Sequence, residues 1–228
     1  MNNILFVIPA RSGSKGIKNK NIIDWGGKPL IMHSFDFLLS QNISDNNICI
    51  STDSYRYINF LKQNGVHSKS ILKRPNCLGE DIVVDYPVII HAWSNREELL
   101  EKEFQFIAII RPTSPNRPKN IIQESIDKLL NNPELTSVRA MRKVSENPHR
   151  VWKYSENNSY MVPIIDNIIE PGNIPRQKLD NNFYYQSGEI EITKRTTLQS
   201  GSISGPRVGI IEMKNKNIDI DSKDDIKY

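Results

Sequence analysis

Apolar and polar positions fall into blocks along this chain, with strand-length apolar runs followed by stretches whose apolar residues recur at helical spacing. Ile4 to Ile8 is a continuous apolar run, the pattern of a strand buried on both faces. Leu30, Ile31, Phe35, Leu38 and Leu39 then share one helical face behind Pro29, which suits the first turn of a helix. Ile48-Cys49-Ile50 predicts a second buried strand. Ile58 and Leu61 predict the inward positions of a helix capped by Asp53 or Ser54 and ended by Gly65. The same reading predicts a helix from about Val84 to Leu100, a strand over Phe106 to Ile110, a helix from Ile121 to Leu130 and a strand over Ser137 to Met141. This alternation argues for an α/β fold with a parallel sheet and crossover helices. In such sheets ligands bind beyond the carboxyl ends of the strands, and here successive strands end in polar loops.

The alternation then stops. Pro148, Pro163, Pro171 and Pro175 interrupt a stretch rich in Asn, Tyr and Ile. We read about 143–186 as an insertion within a single domain spanning 1–228, with short strands near Val151–Lys153 and Tyr160–Pro163. A proline-containing arm with exposed apolar side chains suits contact with a second subunit; a surface excursion of one chain has the same composition. Strand character returns at Tyr184 to Ile192, with Gly188 placed just before the strand. Ser200 to Gly205 reads as a flexible loop and Val208 to Met213 as a strand. Next comes Asn217-Ile218-Asp219-Ile220-Asp221-Ser222. Read as a strand, it points Asp219 and Asp221 the same way. Two carboxylates on one face suit a hard cation such as Mg²⁺; an exposed acidic turn has the same sequence.

The stretch from Val7 to Asn21 carries the strongest chemistry. Arg11, Lys15, Lys18 and Lys20 surround Gly13 and Gly16 directly after the first strand. Glycines let the backbone approach a ligand closely, and free amides in such a turn form an anion nest. A strand ending in a basic, glycine-containing loop is a phosphate-binding arrangement, set against the plain alternative of a solvated basic surface. The string is neither a P-loop nor the three-glycine dinucleotide fingerprint. Arg74 precedes a proline and is thereby held extended, which aims its guanidinium at a ligand or leaves it exposed on a loop. A rigid charged loop from Arg111 to Pro118 follows the third strand.

Composition narrows the picture only a little. The chain has 228 residues and a formal charge of +4, enough for an anionic small ligand but not suggestive of a nucleic-acid partner. Its two cysteines, Cys49 and Cys77, offer no metal framework, and Cys49, inside an apolar run, reads as a buried free thiol. No signal peptide or membrane-spanning apolar run is visible, so a cytoplasmic protein with no membrane partner is expected.

Taken together, these motifs resemble the acylneuraminate cytidylyltransferases, which make CMP-sialic acid and CMP-nonulosonic acids. The resemblance runs from Ile4 to Asp225. Its most specific part is Pro9-Ala10-Arg11 with Gly13-Ser14-Lys15-Gly16 and Lys20-Asn21. Ser51-Thr52-Asp53, Arg74-Pro75, Pro112-Thr113-Ser114-Pro115, Pro175-Arg176-Gln177 and Asp219-Ile220-Asp221 follow in the expected order. The resemblance implies a Rossmann-like, mostly parallel sheet flanked by helices, of the nucleotidyltransferase and GT-A-like kind. It implies transfer of CMP from CTP to a nonulosonic acid, with release of pyrophosphate. Arg11, Lys15, Asp219 and Asp221 would be catalytic. Ile8, Ala10, Arg11, Ser14, Lys15, Lys20, Asn21 and Arg74 would contact CTP. Asp219 and Asp221 would hold Mg²⁺ or Mn²⁺. Arg111, Arg150, Arg176, Gln177 and Ser187 would lie on the sugar side, and the 143–186 segment would form a homodimer whose sugar site is shared between subunits. No clear general base is visible; a metal-bound water or one of the two aspartates is the candidate.

Two departures fall on the sugar side. Arg111 stands where the family commonly carries a glutamine before Pro-Thr-Ser-Pro, and Ser187 replaces an asparagine before Gly188. The family's sugars therefore stay open: sialic acid, legionaminic acid, pseudaminic acid, a deaminated relative or a shorter keto acid. Two other functions compete. One is a nucleotide-sugar glycosyltransferase using Asp219 and Asp221 as its metal site; the other is a non-catalytic CTP-binding relative.

Overall fold

The computed structural model describes residues 3–14, 16–155, 157, 159–165 and 173–226. They form two compact units, one of residues 1–140 and 187–228, the other of residues 141–186.

The first unit is built on a seven-stranded sheet. Its strands are β1 (Ile4–Pro9), β4 (Ile48–Thr52), β5 (Ile71–Lys73), β6 (Phe106–Ile109), β7 (Ser137–Lys143), β10 (Tyr184–Lys194) and β11 (Val208–Glu212), in the order β11-β7-β10-β6-β1-β4-β5. β1 pairs in parallel with β4 and with β6, and β4 in parallel with β5, whereas β10 runs antiparallel to β6. The helices are α1 (Leu30–Ser40), α2 (Tyr55–Gln63), α3 (Asp85–Leu100), α4 (Ile121–Asn131) and the short α5 (Arg195–Gln199). The expected α/β fold with a mostly parallel sheet is the observed one.

Alternate residues of the central strands feed two cores, which is why these strands read as unbroken apolar runs. Phe6, Ile8, Ile48 and Ile50 pack with Ile31, Phe35 and Leu38 of α1 and with Tyr57 and Leu61 of α2. Leu5, Val7, Cys49, Ile107 and Ile109 pack on the opposite face with Ile89, Ala92 and Trp93 of α3. Burying each Ile, Leu or Phe contributes about 1.5–3 kcal/mol. A two-residue hairpin turn at Gly26 and Gly27, with φ of 62° and 80°, joins β2 (Asp24–Trp25) to β3 (Lys28–Pro29); only glycine takes both angles at little cost. It delivers the chain to α1 at Pro29.

Two local expectations are corrected. Gly188 lies inside β10, not before it. A Cβ there would stand 2.1 Å from Ser114 Oγ, so glycine is what allows this strand to pass the loop after β6. Asp219 and Asp221 lie in no strand. The segment is irregular, and the Ile220 amide donates to the Thr113 carbonyl at 2.8 Å. Ile220 is buried with Ile17 and Leu30, so the aspartates on either side of it are left exposed without a ladder to hold them.

The second unit holds the hairpin of β8 (Trp152–Tyr154) and β9 (Met161–Pro163). Asn147 donates from its side-chain amide to the Asp180 carbonyl at 2.6 Å, and His149 meets Phe183 edge-on with ring centroids 5.4 Å apart. Trp152, Tyr154, Tyr160 and Met161 are all exposed.

Candidate active site

At the carboxyl ends of β1, β4, β5 and β6 lies a cleft of about 420 Å³, lined among others by Arg11, Ser14, Lys20, Asn21, Arg74, Arg111, Thr113 and Asp221. It is the ligand position expected of an open parallel sheet.

The basic loop is shaped by the strand beside it. Asp53, at the end of β4, accepts from the Ser12 amide at 2.9 Å and from the Ser12 hydroxyl at 2.8 Å. The helix cap falls instead to Ser54, whose hydroxyl accepts from the Tyr57 amide. Asn21 is buried and donates to the Arg11 carbonyl at 2.9 Å. Asn19 adopts a left-handed conformation (φ 55°), which asparagine tolerates better than most residues, and it starts the tight turn that carries Lys20. Gly16 lies against the far segment: a Cβ there would stand 2.4 Å from the Asp221 carbonyl oxygen. The two stretches read separately in the sequence therefore meet here.

Among the described residues four cations line this cleft, and each has a carboxylate partner. Arg11 pairs with Asp81, Lys20 with Asp221 at 2.6 Å, and Arg111 with Asp85 at 2.5 Å. Arg74 stands 3.9 Å from Asp53. Arg74 is not the exposed loop residue that its surroundings in sequence allow. It is only 3% exposed, with its Nε buried and without a hydrogen-bond partner. Desolvation lowers its pKa, and Asp53 partly offsets that. At Arg111 the balance reverses. Burial alone would lower the pKa, but the hydrogen bond and charge of Asp85 raise it above the ordinary value. The Asp219 carboxyl is pushed above the usual aspartate range, first by partial desolvation and then by the like charge of Asp221. Thr113 and Lys20 act in the other direction.

Of the residues expected to contact CTP, Arg11, Ser14, Lys20, Asn21 and Arg74 line the cleft. Ile8 and Ala10 are wholly buried beneath it, and the Ala10 amide is engaged by the Ser51 carbonyl at 2.9 Å. Lys15 and the side chain of Arg176 lie outside the described residues. On the expected sugar side, Arg111 lines the cleft. Ser187 lies beside Gly188 at the start of the first unit's return strand, and its hydroxyl is buried without a partner. Arg150 and Gln177 belong to the second unit, where Arg150 donates to the Ile174 carbonyl at 3.3 Å and Gln177 is exposed. Sequence reasoning missed the carboxylates: Glu80, Asp81 and Asp85 all line the cleft. Their only signal was an acidic cluster just after a basic Arg-Pro loop.

Residues 5–160 match the family model described as Cytidylyltransferase. The N-acylneuraminate cytidylyltransferase of Streptococcus agalactiae serotype V is 29% identical over 222 residues, covering 96% of this chain and 50% of that protein. The chain thus spans about half the length of this relative. The pseudaminic acid cytidylyltransferase of Campylobacter jejuni is 29% identical over 230 residues, covering 98% of this chain and 93% of that one. Among solved structures, a CMP:2-keto-3-deoxy-manno-octonic acid synthetase complexed with CTP superposes with a TM-score of 0.66 at 17% identity, covering 97% of this chain and 94% of that one. That likeness shows the fold. The matched segment contains the basic loop, the Asp53 brace and both arginine loops, and on it the chain belongs to the cytidylyltransferase family.

Proposed function

We propose that this chain transfers CMP from CTP to a nonulosonic acid. The anomeric hydroxyl oxygen of the acid bonds to the α-phosphorus, the bond to the bridging oxygen breaks, pyrophosphate leaves, and the hydroxyl proton passes to a base. The observation that carries this reading is the convergence of Arg11, Lys20 and Arg74 with Asp221 on one cleft beyond the parallel strands. In-line transfer from a triphosphate chiefly needs alignment and neutralisation of charge, and these side chains supply both. Arg11 and Lys20 hold the phosphates, and the buried Arg74 adds a fixed positive charge behind them.

Asp219 and Asp221 fit Mg²⁺ or Mn²⁺. They are hard oxygen donors with one residue between them, and the charge of Asp221, which after desolvation is the second cause that raises Asp219, is one a divalent cation relieves. Mg²⁺ usually keeps several of its positions for water and phosphate oxygens. Bound there, the ion supplies charge neutralisation to the phosphates.

The exposed aromatic hairpin of the second unit supports a homodimer, to which Arg150, Arg176 and Gln177 would bring sugar contacts. Among the described residues no helix is long and apolar enough to cross a membrane. The test of the function is pyrophosphate release from CTP and Mg²⁺ with a panel of nonulosonic acids, ATP, GTP and UTP serving as controls. Release with CTP and one acid is expected. CTP binding without turnover on any acid points to a non-catalytic relative, and hydrolysis of nucleotide sugars to a glycosyltransferase. Sedimentation of the intact chain tests the dimer.

A further inference from the structure

At the β1 loop end of the cleft Arg11 pairs with Asp81 and Lys20 with Asp221. At the other end Arg111 is held from both sides: its carbonyl accepts from Arg117 Nη2, and its guanidinium donates to Asp85 Oδ2 at 2.5 Å. Its stem lies along β10, where a Cβ on Gly188 would stand 3.5 Å from the Arg111 Cδ. Glu191 and Asp219 also act on its charge, and Glu191 is itself paired with Arg139. This end therefore presents an arginine and no surplus positive charge. The guanidinium and carboxylate are each about one-third exposed, so both keep hydrogen-bonding edges toward the cleft. Val83 and Val88 line the same cleft. A matched ion pair beside apolar side chains suits uncharged substituents that carry hydroxyl or acylamido groups. It offers a carboxylate no uncompensated positive charge.

We propose that Asp85 is a specificity-determining residue: by matching Arg111 it makes this end of the cleft a charge-neutral hydrogen-bonding surface that reads the uncharged substituents of the acceptor, whose carboxylate is bound elsewhere. This rests on the cytidylyltransfer reading, which places the acceptor opposite the triphosphate. The competing geometry is one in which Arg111 leaves Asp85 and takes the acceptor's carboxylate itself.

A double-mutant cycle separates the two. Asp85→Asn, Arg111→Gln and the double variant are compared with wild type for acceptor KM, kcat and CTP affinity by calorimetry. Each single change leaves one unmatched charge, so each is expected to raise acceptor KM about tenfold, or about 1.4 kcal/mol. The double variant, with two neutral amides, is expected to return to within about threefold of wild type. CTP affinity is expected to stay constant throughout, which a general structural role would not give. The proposal is overturned if Asp85→Asn lowers acceptor KM, or if the double variant stays as impaired as Arg111→Gln, since either shows the arginine binding the carboxylate. If wild-type protein releases no pyrophosphate with any acid, the functional reading fails separately. The same cycle is then read from calorimetric affinity for N-acetylneuraminate and pseudaminate, where recovery in the double variant supports the neutral pair. Lack of recovery, or lack of binding to either acid, overturns it.

Discussion

Lys20 Nζ lies 2.6 Å from Asp221 Oδ1, across 201 positions of sequence. One residue is a cation of the basic loop and the other a carboxylate of the proposed metal pair, and each neutralises the other. If Asp221 holds a metal as proposed, Lys20 would be free to meet a phosphate, and the two binding events would favour each other. Replacing Asp221 with Asn is expected to lower pyrophosphate release by about 10²–10³, the usual effect of losing one electrostatic contact to the transition state. CTP binding measured in EDTA is expected to be kept or tightened, because Lys20 is then unmatched. If metal-free CTP binding is lost instead, Asp221 acts only by shaping the loop.

Asp53 governs the same loop from behind. Its two bonds to Ser12 and its proximity to Arg74 tie the end of β4 to the loops after β1 and β5. Hydrogen bonds to a charged group contribute about 1.5–3 kcal/mol each, but an asparagine keeps part of that set. Asp53→Asn is expected to lower the urea midpoint by an amount worth about 1–2 kcal/mol and to weaken CTP binding more than acceptor binding. Equal weakening of both substrates counts against a role specific to the nucleotide end.

The sheet was legible because β1, β4 and β6 are buried on both faces, which leaves unbroken apolar runs that no other element explains. The phosphate loop was legible because glycine and base together break such a run. What escaped was every feature whose cause lies far away in sequence. Asp53 reads as one of two candidates for a helix cap, the other being Ser54, until Ser12, 41 positions earlier, is seen to bond to it. Asp85 reads as an acid in the first turn of α3, where it complements the helix dipole, until Arg111 is found 26 positions on. The burial of Arg74 escapes because the residues that bury it are not its neighbours in the chain. Asp219 and Asp221 read as strand residues on one face; in the structure both are exposed on either side of the buried Ile220, without any strand pairing.

Gly16 is a place where shape alone links loop and metal pair. An added methyl would stand 2.4 Å from the Asp221 carbonyl oxygen, a backbone atom that cannot move without its segment. Gly16→Ala is expected to shift residues around Asp221 and cost about 1–3 kcal/mol of stability, as overpacking does. The far-ultraviolet circular dichroism is expected to be unchanged, while the metal concentration needed for half-maximal activity rises. A variant with normal stability and metal dependence shows that the loop yields freely at this point.

The cysteines give a test of the core that is independent of function. Cys49 is buried in β4 and Cys77 is exposed. One thiol is expected to react rapidly with a disulfide reagent at pH 8 in the native protein, and the second only in denaturant. Burial pushes the Cys49 thiol from 9.0 to about 12, with Arg96 pulling weakly in the other direction. The folded state therefore holds this proton more tightly than the unfolded state does. The resulting contribution to stability is complete below pH 9, the unfolded value, and is lost as pH rises toward 12. Cys49→Ala removes that contribution while leaving the tyrosines and lysines to titrate as before. Wild type is expected to lose stability more steeply than the variant between these limits. Parallel profiles in urea titrations at stepped pH refute the burial of this thiol between β1 and α3.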